Sequence, residues 1–362
     1  MEEIKFDLKL YDVSAPMKST DAAVDSEGNP SFENGDNNNV QATIKSYYVK
    51  ELLRNAEPHL VFNQFGQKKP IPRGNGKTIE WRKWSKLPAV PADLAIQEGV
   101  TPRGTKRSVK SIIGTVGQYG DYIKHTDIIE VTAFDPVITE DCREQGVQAG
   151  KTLDLITRNE LMNSSNVMFA GGKSDFSTLV AKEEEDTPID ALTVNDVFKA
   201  VNKLERFDIS PIEGADYVAI VHPDVATQLM LDEKWVDVTK YTTSDKIFNG
   251  EIGKIANCRF VKTTQAPLAK TTTASGQAAV YCTMFIGANA YGVTELEGLG
   301  LEYIIKPKGY GDDPLNLVGS TGWKATAGAK VLDDSALLKH WSCTFRSGET
   351  NIVTNYDIPT KS

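Results

Sequence analysis

The chain has 362 residues, of which 40% are hydrophobic and 25% charged, and its formal net charge is −9. This composition supports a packed core without disulfide or metal cross-links, in one large domain or two to three smaller ones. It lacks the run of about 18 apolar residues that a membrane span needs. The acidic start, MEEIKFDLKL, is unlike a secretory signal, and an acidic chain is a poor general binder of nucleic acid.

Residues 1–45 are predicted to form an N-terminal arm. The stretch from Ser19 to Asn39 is rich in Asp, Asn, Ser and Gly and has few large apolar side chains. Such a segment cannot bury enough surface to offset its own ordering entropy. We therefore expect the arm to be disordered in an isolated subunit and to become ordered only against other copies.

An extended hairpin is predicted after a short helix over residues 46–57. The string KTIEWRKW alternates as a strand does, and a second apolar run extends from Ser108 to Tyr119. Between them lies a loop of roughly twenty residues that contains several prolines and glycines, and loops of that length tend to be functional or extended.

The hairpin concentrates positive charge. Between Lys68 and Lys110 there are eleven basic and three acidic residues, a net charge of +8, which leaves −17 on the rest of the chain. One interpretation is that the hairpin binds nucleic acid, with bases stacked on Trp81 and Trp84. We favour docking onto an acidic face of another copy, since the remainder of the chain supplies the complementary charge. The predicted inter-subunit contact residues are Arg73, Lys77, Trp81, Arg82, Lys83, Trp84, Arg103, Lys106, Arg107 and Lys110.

The strongest helix signal covers residues 136–162, a helix of roughly 40 Å. Apolar residues recur in it at three- and four-residue steps, and this spacing predicts that Leu153 and Ile156 are buried beneath returning strands. Gly146 and Gly150 lower the helix propensity but permit close approach of another element.

The second half of the chain has a mixed pattern. A helix is predicted over 193–206 with Thr193 and Asp196 as a capping pair. It is followed by the strand YVAIVH and by a short helix that begins at Pro223. Further strands are predicted at Cys258–Thr263, Ala279–Ile286 and Leu301–Ile305. This order predicts an α+β fold without βαβ alternation.

Three motifs suggest chemistry, and each has a simpler explanation. PRGNGKT (72–78) lacks the first glycine of a phosphate-binding loop and precedes a strand, so a tight turn is favoured. His222 and Asp224 could form an acid/base dyad, but the sequence offers no GxSxG nucleophile, and a local turn with helix capping by Asp224 is favoured. EEED (183–186) could bind a divalent cation, although a solvated acidic loop is favoured.

Cysteine and histidine spacing predicts no metal site. Neither the cysteines nor the histidines form the close sequence pairs that zinc sites use. We expect the cysteine side chains to be buried in the protein core, and to be reduced because the protein is in a cytosolic compartment. The four cysteines are Cys142, Cys258, Cys282 and Cys343. We expect no catalytic residues, no cofactor and no enzymatic activity.

Several strings, in this order, resemble the podophage-type major capsid proteins of tailed bacteriophages, which have the Hong Kong 97 fold. They are FGQKKPIPRGNGKTIEWRKW (65–84), EGVTP (98–102), QYGDYIKHTD (118–127), QAGKTLDLITRNELM (148–162), FAGG (169–172), HPD (222–224), NGEIGKIANCRFVKT (249–263), AYGVTELEGLG (290–300) and DPLNLVGSTGWKA (313–325). The likeness covers roughly residues 45–330 and is weaker for the arm and the C-terminal tail.

The resemblance implies a Hong Kong 97-like division of the chain. Residues 1–45 would be the arm, 46–66 a helical P-domain segment, 67–120 the E-loop hairpin, and 121–190 the P-domain with its long spine helix. Residues 191–300 would be the A-domain, and 301–362 the returning P-domain strands and C-terminal tail.

The resemblance also implies a function. Copies of the chain would assemble as pentamers and hexamers into an icosahedral shell around double-stranded DNA, in the host cytoplasm and then in the virion. Other partners would be scaffold, portal and decoration proteins, with no membrane. The alternatives are an encapsulin-like shell, a nucleic-acid-binding module that uses the 68–110 hairpin, and a hydrolase that uses His222 and Asp224.

Overall fold

A computed structural model describes most of the chain beyond the arm. The described residues are 49–56, 59–87, 89, 98–99, 104–132, 137–182, 189–212, 216–232, 234–235, 251–309, 315–349 and 351–358. The 1–45 arm, the EEED segment and Arg103, which the sequence analysis singled out, lie outside these residues.

The described elements comprise five helices and fourteen strands. The helices are α1 (49–56), α2 (Asp127–Thr132), α3 (Val137–Leu161), α4 (Val194–Arg206) and α5 (Pro223–Met230). The first seven strands are β1 (Gln67–Lys68), β2 (Thr78–Trp84), β3 (Val109–Thr115), β4 (Gly117–Thr126), β5 (Val167–Phe169), β6 (Tyr217–Val221) and β7 (Glu251–Ile255). The others are β8 (Cys258–Lys262), β9 (Leu268–Thr273), β10 (Gly276–Ile286), β11 (Tyr291–Thr294), β12 (Glu302–Lys306), β13 (Val318–Val331) and β14 (Leu337–Ser342).

Two main sheets organise the fold. In the five-stranded sheet, the 14-residue β13 pairs antiparallel with β4, β12 and β11, and β1 pairs with β11 in parallel. The seven-stranded sheet has the order β5-β14-β10-β6-β8-β7, and β9 also pairs with β10. Two of its strands, β6 and β14, are buried along their whole length. The sequence of β6, YVAIV, is continuously apolar, as a strand covered on both faces requires, whereas β14 also carries the buried polar residues Lys339, His340 and Ser342.

The second predicted hairpin strand divides in two. Its first part, β3, pairs with β2, but after Val116 the chain continues as β4 and joins β13 from Thr126↔Val318 to Gly117↔Ala327. The hairpin is therefore continuous with the five-stranded sheet, a link that depends on a strand about 200 residues away and that local alternation does not reveal.

The connection between β6 and β8 adds a helical crossover to the mixed order of elements. Strands β6 and β8 are parallel, with α5 in the connection between them, so the fold includes one crossover of the βαβ kind. A parallel partner has to be reached by a long connection, and here that connection carries the helix. The remaining order of elements is mixed, as an α+β fold requires.

The long helix is confirmed as α3, a 25-residue helix that packs against β13 and α1. Its two glycines face α1 closely. A Cβ atom at Gly146 would lie 2.7 Å from the Leu52 carbonyl oxygen, and one at Gly150 would collide with the Ala56 carbonyl oxygen. The backbones of the two helices can approach only because these positions carry no side chain.

The buried face of α3 differs from the predicted one. Leu153 and Ile156 are only half-buried, whereas several polar positions of the helix are buried. Gln145 Nε2 donates to the Thr321 carbonyl oxygen (3.0 Å), and Asp154 Oδ1 accepts from the Phe62 backbone N–H (2.7 Å). The buried face of α3 is therefore stabilised by hydrogen bonds to backbone groups that are distant in sequence. The spacing of apolar residues in the sequence does not reveal such bonds. The buried positions of α3 are Cys142, Gln145, Gly146, Ala149, Gly150, Asp154, Thr157, Arg158 and Leu161.

Two local predictions are confirmed. The Thr193 hydroxyl accepts from the Asp196 backbone N–H at the start of α4 (3.3 Å) and donates to the Asp196 carboxylate (2.8 Å), as a capping pair should. The four cysteines are all buried and form no disulfide with one another, and burial raises the pKa of each thiol. They therefore serve as small core residues.

Asn355 fastens the C-terminal segment to the body. Its Oδ1 accepts from the Leu268 backbone N–H (2.9 Å), and its Nδ2 donates to the carbonyl oxygens of Ala266 (3.0 Å) and Thr264 (3.3 Å). Its own carbonyl oxygen accepts from Arg158 at the end of α3 (2.9 Å). One amide side chain thus joins the tail to the loop before β9.

We expect Asn355→Ala to destabilise the subunit by about 1–3 kcal/mol, because it leaves the Leu268 backbone N–H and two carbonyl oxygens without their side-chain partner. Urea unfolding of the isolated subunit would measure this loss. Asn351→Ala, at an exposed position of the same segment, is the matched control and should change the unfolding free energy little. Equal unfolding midpoints for the two variants would contradict the proposed role of Asn355.

Candidate inter-subunit surface

A tight turn directly precedes the first strand of the basic hairpin. Gly74 and Gly76 adopt positive φ angles of 86° and 79° just before β2 begins at Thr78. Strands β2 and β3 then pair from Thr78↔Thr115 to Trp84↔Val109. The PRGNGKT string therefore forms a glycine turn that opens a strand, as predicted, in a place where a phosphate-binding loop would have to open a helix.

Trp81 anchors the base of the hairpin. Its side chain is only 5% exposed and belongs to a small core with Ile71, Ile79 and Val116. The ring lies against Gly114 and Gly292, where a Cβ atom would come within 2.5–2.6 Å of it. Among the predicted contact residues, Trp81 thus contacts strands of its own subunit and offers little surface to a neighbour.

Two lysines tie the hairpin to its own subunit. Lys83 Nζ lies 2.5 Å from an Asp333 carboxylate oxygen. Lys86 Nζ donates to the carbonyl oxygens of Asp208 (2.7 Å) and Phe207 (3.3 Å), just after the C-terminus of α4, where helix carbonyls attract cations. Part of the positive charge that we assigned to a neighbour is therefore neutralised within the chain.

Arg73 also lies against its own subunit, with its Nε donating to the Glu297 carbonyl oxygen (3.2 Å). A cleft of about 790 Å³ lies between the hairpin and the body, and Trp81, Lys83 and Asp333 are among the residues that line it. The hairpin is thus attached at a few points and does not pack against the body along its whole length.

The outer side of the hairpin is open. Trp84 is 51% exposed, and the Arg107 guanidinium stacks on its ring at 4.4 Å from the centroid. Arg82 is paired within the hairpin with Glu80 (3.4 Å). The hydrogen bond from Ser111 and the adjacent Arg82 hold the pKa of the Glu80 carboxyl below its usual value. We call the exposed residues Lys77, Arg82, Trp84, Lys106, Arg107 and Lys110 the hairpin surface.

A second exposed surface was not found from the sequence. Tyr122 in the second half of β4, Ile128 and Ile129 of α2, and Leu315 and Leu317 are all exposed apolar side chains. The Asp127 backbone N–H donates to the Leu317 carbonyl oxygen (3.0 Å), which holds the two segments side by side. We call this set the far-end patch. Clustered exposed apolar residues are typical of protein interfaces.

The two surfaces lie at opposite ends of one strand. Strand β4 begins next to the hairpin and has ten residues, a length of about 33 Å. Alternation along a strand shows which residues share a face but not whether that face is covered, so the far-end patch could not be predicted from the pattern of residues.

His222 and Asp224 form a helix cap. His222 Nδ1 accepts from the Asp224 backbone N–H (3.2 Å) at the start of α5, and the Asp224 carboxylate accepts from the Tyr281 hydroxyl (2.9 Å). Burial lowers the pKa of His222. The predicted helix cap is present, but the assignment of the cap to Asp224 was wrong, because the His222 side chain provides it and the Asp224 carboxylate binds Tyr281 instead.

The described part of the chain has no group of three or more His, Cys, Asp or Glu residues that could hold a metal ion. Within the same residues, no helix is long and apolar enough to cross a membrane.

Comparison with known proteins identifies the fold. No family model and no curated protein sequence matches the chain. Among solved structures, the capsid of Ralstonia phage GP4 superposes with a TM-score of 0.63 at 13% identity, over 81% of this chain and 90% of the phage chain. The capsid of cyanophage P-SCSP1u superposes with a TM-score of 0.59 at 12% identity, over 79% of this chain and 88% of the cyanophage chain. The SrpI encapsulin of Synechococcus elongatus superposes with a TM-score of 0.50 at 10% identity, over 83% of this chain and 93% of the encapsulin chain.

The superpositions cover most of each chain, but the sequence identities are so low that they show a shared backbone fold and no more. They match the mixed architecture of two sheets, a long helix and a hairpin described above. The Hong Kong 97-like α+β class predicted from the sequence is confirmed, and the chain has the fold of tailed-bacteriophage capsid proteins.

Proposed function

We propose that this chain is the major capsid protein of a tailed bacteriophage and assembles as pentamers and hexamers into an icosahedral shell enclosing double-stranded DNA. The observation that carries the proposal is the backbone match to phage capsids over about four fifths of the chain. The bonding and burial of the candidate enzymatic pair support it, because His222 caps a helix and Asp224 binds Tyr281.

The sheets support a division of the chain close to the sequence-based one. The hairpin would be the E-loop, and the five-stranded sheet with α3 would be the P-domain. The seven-stranded sheet, α4 and α5 would form the A-domain. The seven-stranded sheet includes β5 and β14, so we add these two strands, which the 121–190 and 301–362 segments had assigned to the P-domain, to the A-domain. The five-stranded sheet includes β11, so we move this strand from the 191–300 A-domain segment to the P-domain.

Assembly would use the hairpin surface as a contact between copies. A contact between two different patches of identical subunits is directional and builds rings. The hairpin surface would meet an acidic face of a neighbour, because the chain outside the 68–110 segment carries −17. Exposed ion pairs contribute at most about 1 kcal/mol each, so several would have to act together.

Negative-stain microscopy of the expressed full chain would test this function. We expect closed shells tens of nanometres across, which is the size of a phage head. Sedimentation would measure the fraction of chain assembled. A monodisperse monomer under all salt and concentration conditions would contradict a shell-forming role.

An encapsulin-like shell is the second candidate, and the likeness to the SrpI encapsulin favours it specifically. The contents of purified particles would separate the two functions. Nuclease-resistant double-stranded DNA in particles from producing cells would support a capsid, whereas one co-purifying enzyme would support an encapsulin. As a capsid protein, the chain would act in the virion after assembly in the host cytoplasm. It would bind DNA without sequence specificity and contact scaffold, portal and decoration proteins.

A further inference from the structure

Three polar side chains lie in the apolar layer between the seven-stranded sheet and the helices α4 and α5. Thr283, His340 and Ser342 each have no solvent-exposed surface. Thr283 is directly opposite His340 in the β10–β14 pairing, and Ser342 shares a face of β14 with His340. Leu338 lies on the same face and packs with residues of α4 and α5, so this face of the sheet points toward the helices.

The polar atoms of this group lack partners. Both ring nitrogens of His340, the Thr283 hydroxyl and the Ser342 hydroxyl have no hydrogen bond with any described residue. Buried polar groups are nearly always hydrogen-bonded, and leaving one without a partner reduces stability. Apolar side chains of similar size would fill the same space at a lower cost, so packing alone does not account for the imidazole.

The groups around His340 come from each element packed against it. From β10, the Phe285 ring meets the imidazole edge-on at 6.4 Å, and Met168 of β5 is its register partner on the other side. From α4, Asp196 and Lys199 are the charged groups that act on the ring. Lys339 points to the opposite face, where its Nζ donates to the Met162 carbonyl oxygen (2.8 Å).

Asp196 is already engaged at the start of α4. Its buried carboxylate accepts from the Thr193 hydroxyl (2.8 Å) and from Lys199 Nζ (3.0 Å). A positive charge on the imidazole would compete with these donors for the same carboxylate.

Burial lowers the pKa of His340 to about 4, an effect that Asp196 opposes and Lys199 reinforces. The imidazole is therefore neutral at pH 7 in the packed structure. In an opened state, where water reaches the ring, its pKa returns to about 6.5.

We propose that His340 makes the packing of α4 on the seven-stranded sheet sensitive to acid. Protonation places a cation in the apolar layer, draws the Asp196 carboxylate away from the first turn of α4, and favours release of the helix from the sheet.

The direction and size of the pH effect on the opening of α4 follow from the linkage between proton binding by His340 and opening. Since the opened state binds the proton more tightly, opening becomes more favourable as the pH falls below 6.5, by about tenfold per pH unit until the pH nears 4. Between pH 7 and pH 5 the opening equilibrium should therefore shift by roughly 20-fold. Above pH 7 the protonation of His340 has no effect.

Hydrogen exchange of the α4 amides in the full chain, corrected for the intrinsic pH dependence of exchange, tests the proposal. We expect α4 protection to fall roughly 20-fold from pH 7 to pH 5 in the unmodified chain, and by less than about threefold in His340→Phe, which keeps an aromatic ring without a titrating nitrogen. His59→Phe, a histidine outside this layer, should behave as the unmodified chain does. An equal fall in His340→Phe, or no fall in the unmodified chain, would overturn the proposal.

A second measurement needs no variant and covers the case in which His340→Phe does not fold. NMR of the chain with ¹³C-labelled histidine would follow the His340 ring through the same pH range. A ring that titrates only together with loss of α4 protection supports the proposal. Titration near pH 6.5 with α4 protection unchanged would show that a charged ring is tolerated there, and would overturn it.

Discussion

Reversing the three basic residues at the end of the hairpin, Lys106→Glu, Arg107→Glu and Lys110→Glu together, is expected to reduce shell assembly by more than about tenfold while the subunit stays folded. All three side chains are exposed. The contact that the structure gives them within the subunit is the stacking of Arg107 on the exposed Trp84 ring, at the outer side of the hairpin. Their reversal lowers the hairpin charge by six and turns attraction to an acidic neighbour into repulsion.

The choice of positions follows from the intra-chain contacts. Arg82 and Lys83 are also predicted contact residues, but they are left unchanged because Arg82 pairs with Glu80 and Lys83 with Asp333. Reversal there would also disturb the hairpin within its own subunit. Sedimentation and microscopy would measure assembly, and circular dichroism would confirm folding.

The matched control carries the same number of reversals on other exposed positions, Arg54→Glu, Lys182→Glu and Lys262→Glu, and should assemble nearly normally. Assembly of the unmodified chain should also weaken in 1 M salt, where the screening length falls to about 3 Å. If the hairpin variant assembles normally but loses affinity for DNA, the nucleic-acid interpretation of the hairpin is correct and the docking interpretation is wrong.

Gly150→Val should destabilise the subunit by at least about 3 kcal/mol and could prevent folding. The new side chain would meet the backbone of Ala56 in α1, where even a Cβ atom collides with the carbonyl oxygen. The clash is with backbone, so it cannot be relieved by a change of rotamer. Since valine has a slightly better helix propensity than glycine, any loss arises from the helix–helix contact.

Urea unfolding would measure the effect of Gly150→Val. The control is Glu144→Val on the same helix, an exposed position where the same residue should cost well under about 1 kcal/mol. If both variants unfold at the same urea concentration, α1 and α3 do not pack as closely as described.

The helices were largely predictable because their ends carry local signals. The Thr193 cap placed the start of α4, and Pro223 placed the start of α5. Strand β13 was not predicted, although it is the centre of its sheet. Its sequence, VGSTGWKATAGAKV, consists largely of small residues because neighbouring strands approach closely. A Cβ atom at Gly328 would lie 2.5 Å from the Thr115 carbonyl oxygen.

The candidate surface was predictable only in part. Residue counts revealed the positive charge of the hairpin, but not that Lys83 meets Asp333 within the same subunit, since 250 positions separate the two residues in sequence. The far-end patch depends on α2 and Leu317 coming together, which tertiary packing decides. The α+β class followed from the order of the predicted helices and strands, and the resemblance to the Hong Kong 97 fold followed from the order of several strings.

The pairing of β4 with β13 bears on how the protein is made in the cell. Thr126 leaves the ribosome roughly 190 residues before its partner Val318, which at about 5–20 residues per second is a delay of 10 to 40 s. Until then the strand that carries both the hairpin and the far-end patch has no sheet to join. The two surfaces therefore acquire their relative positions only when most of the chain has been synthesised.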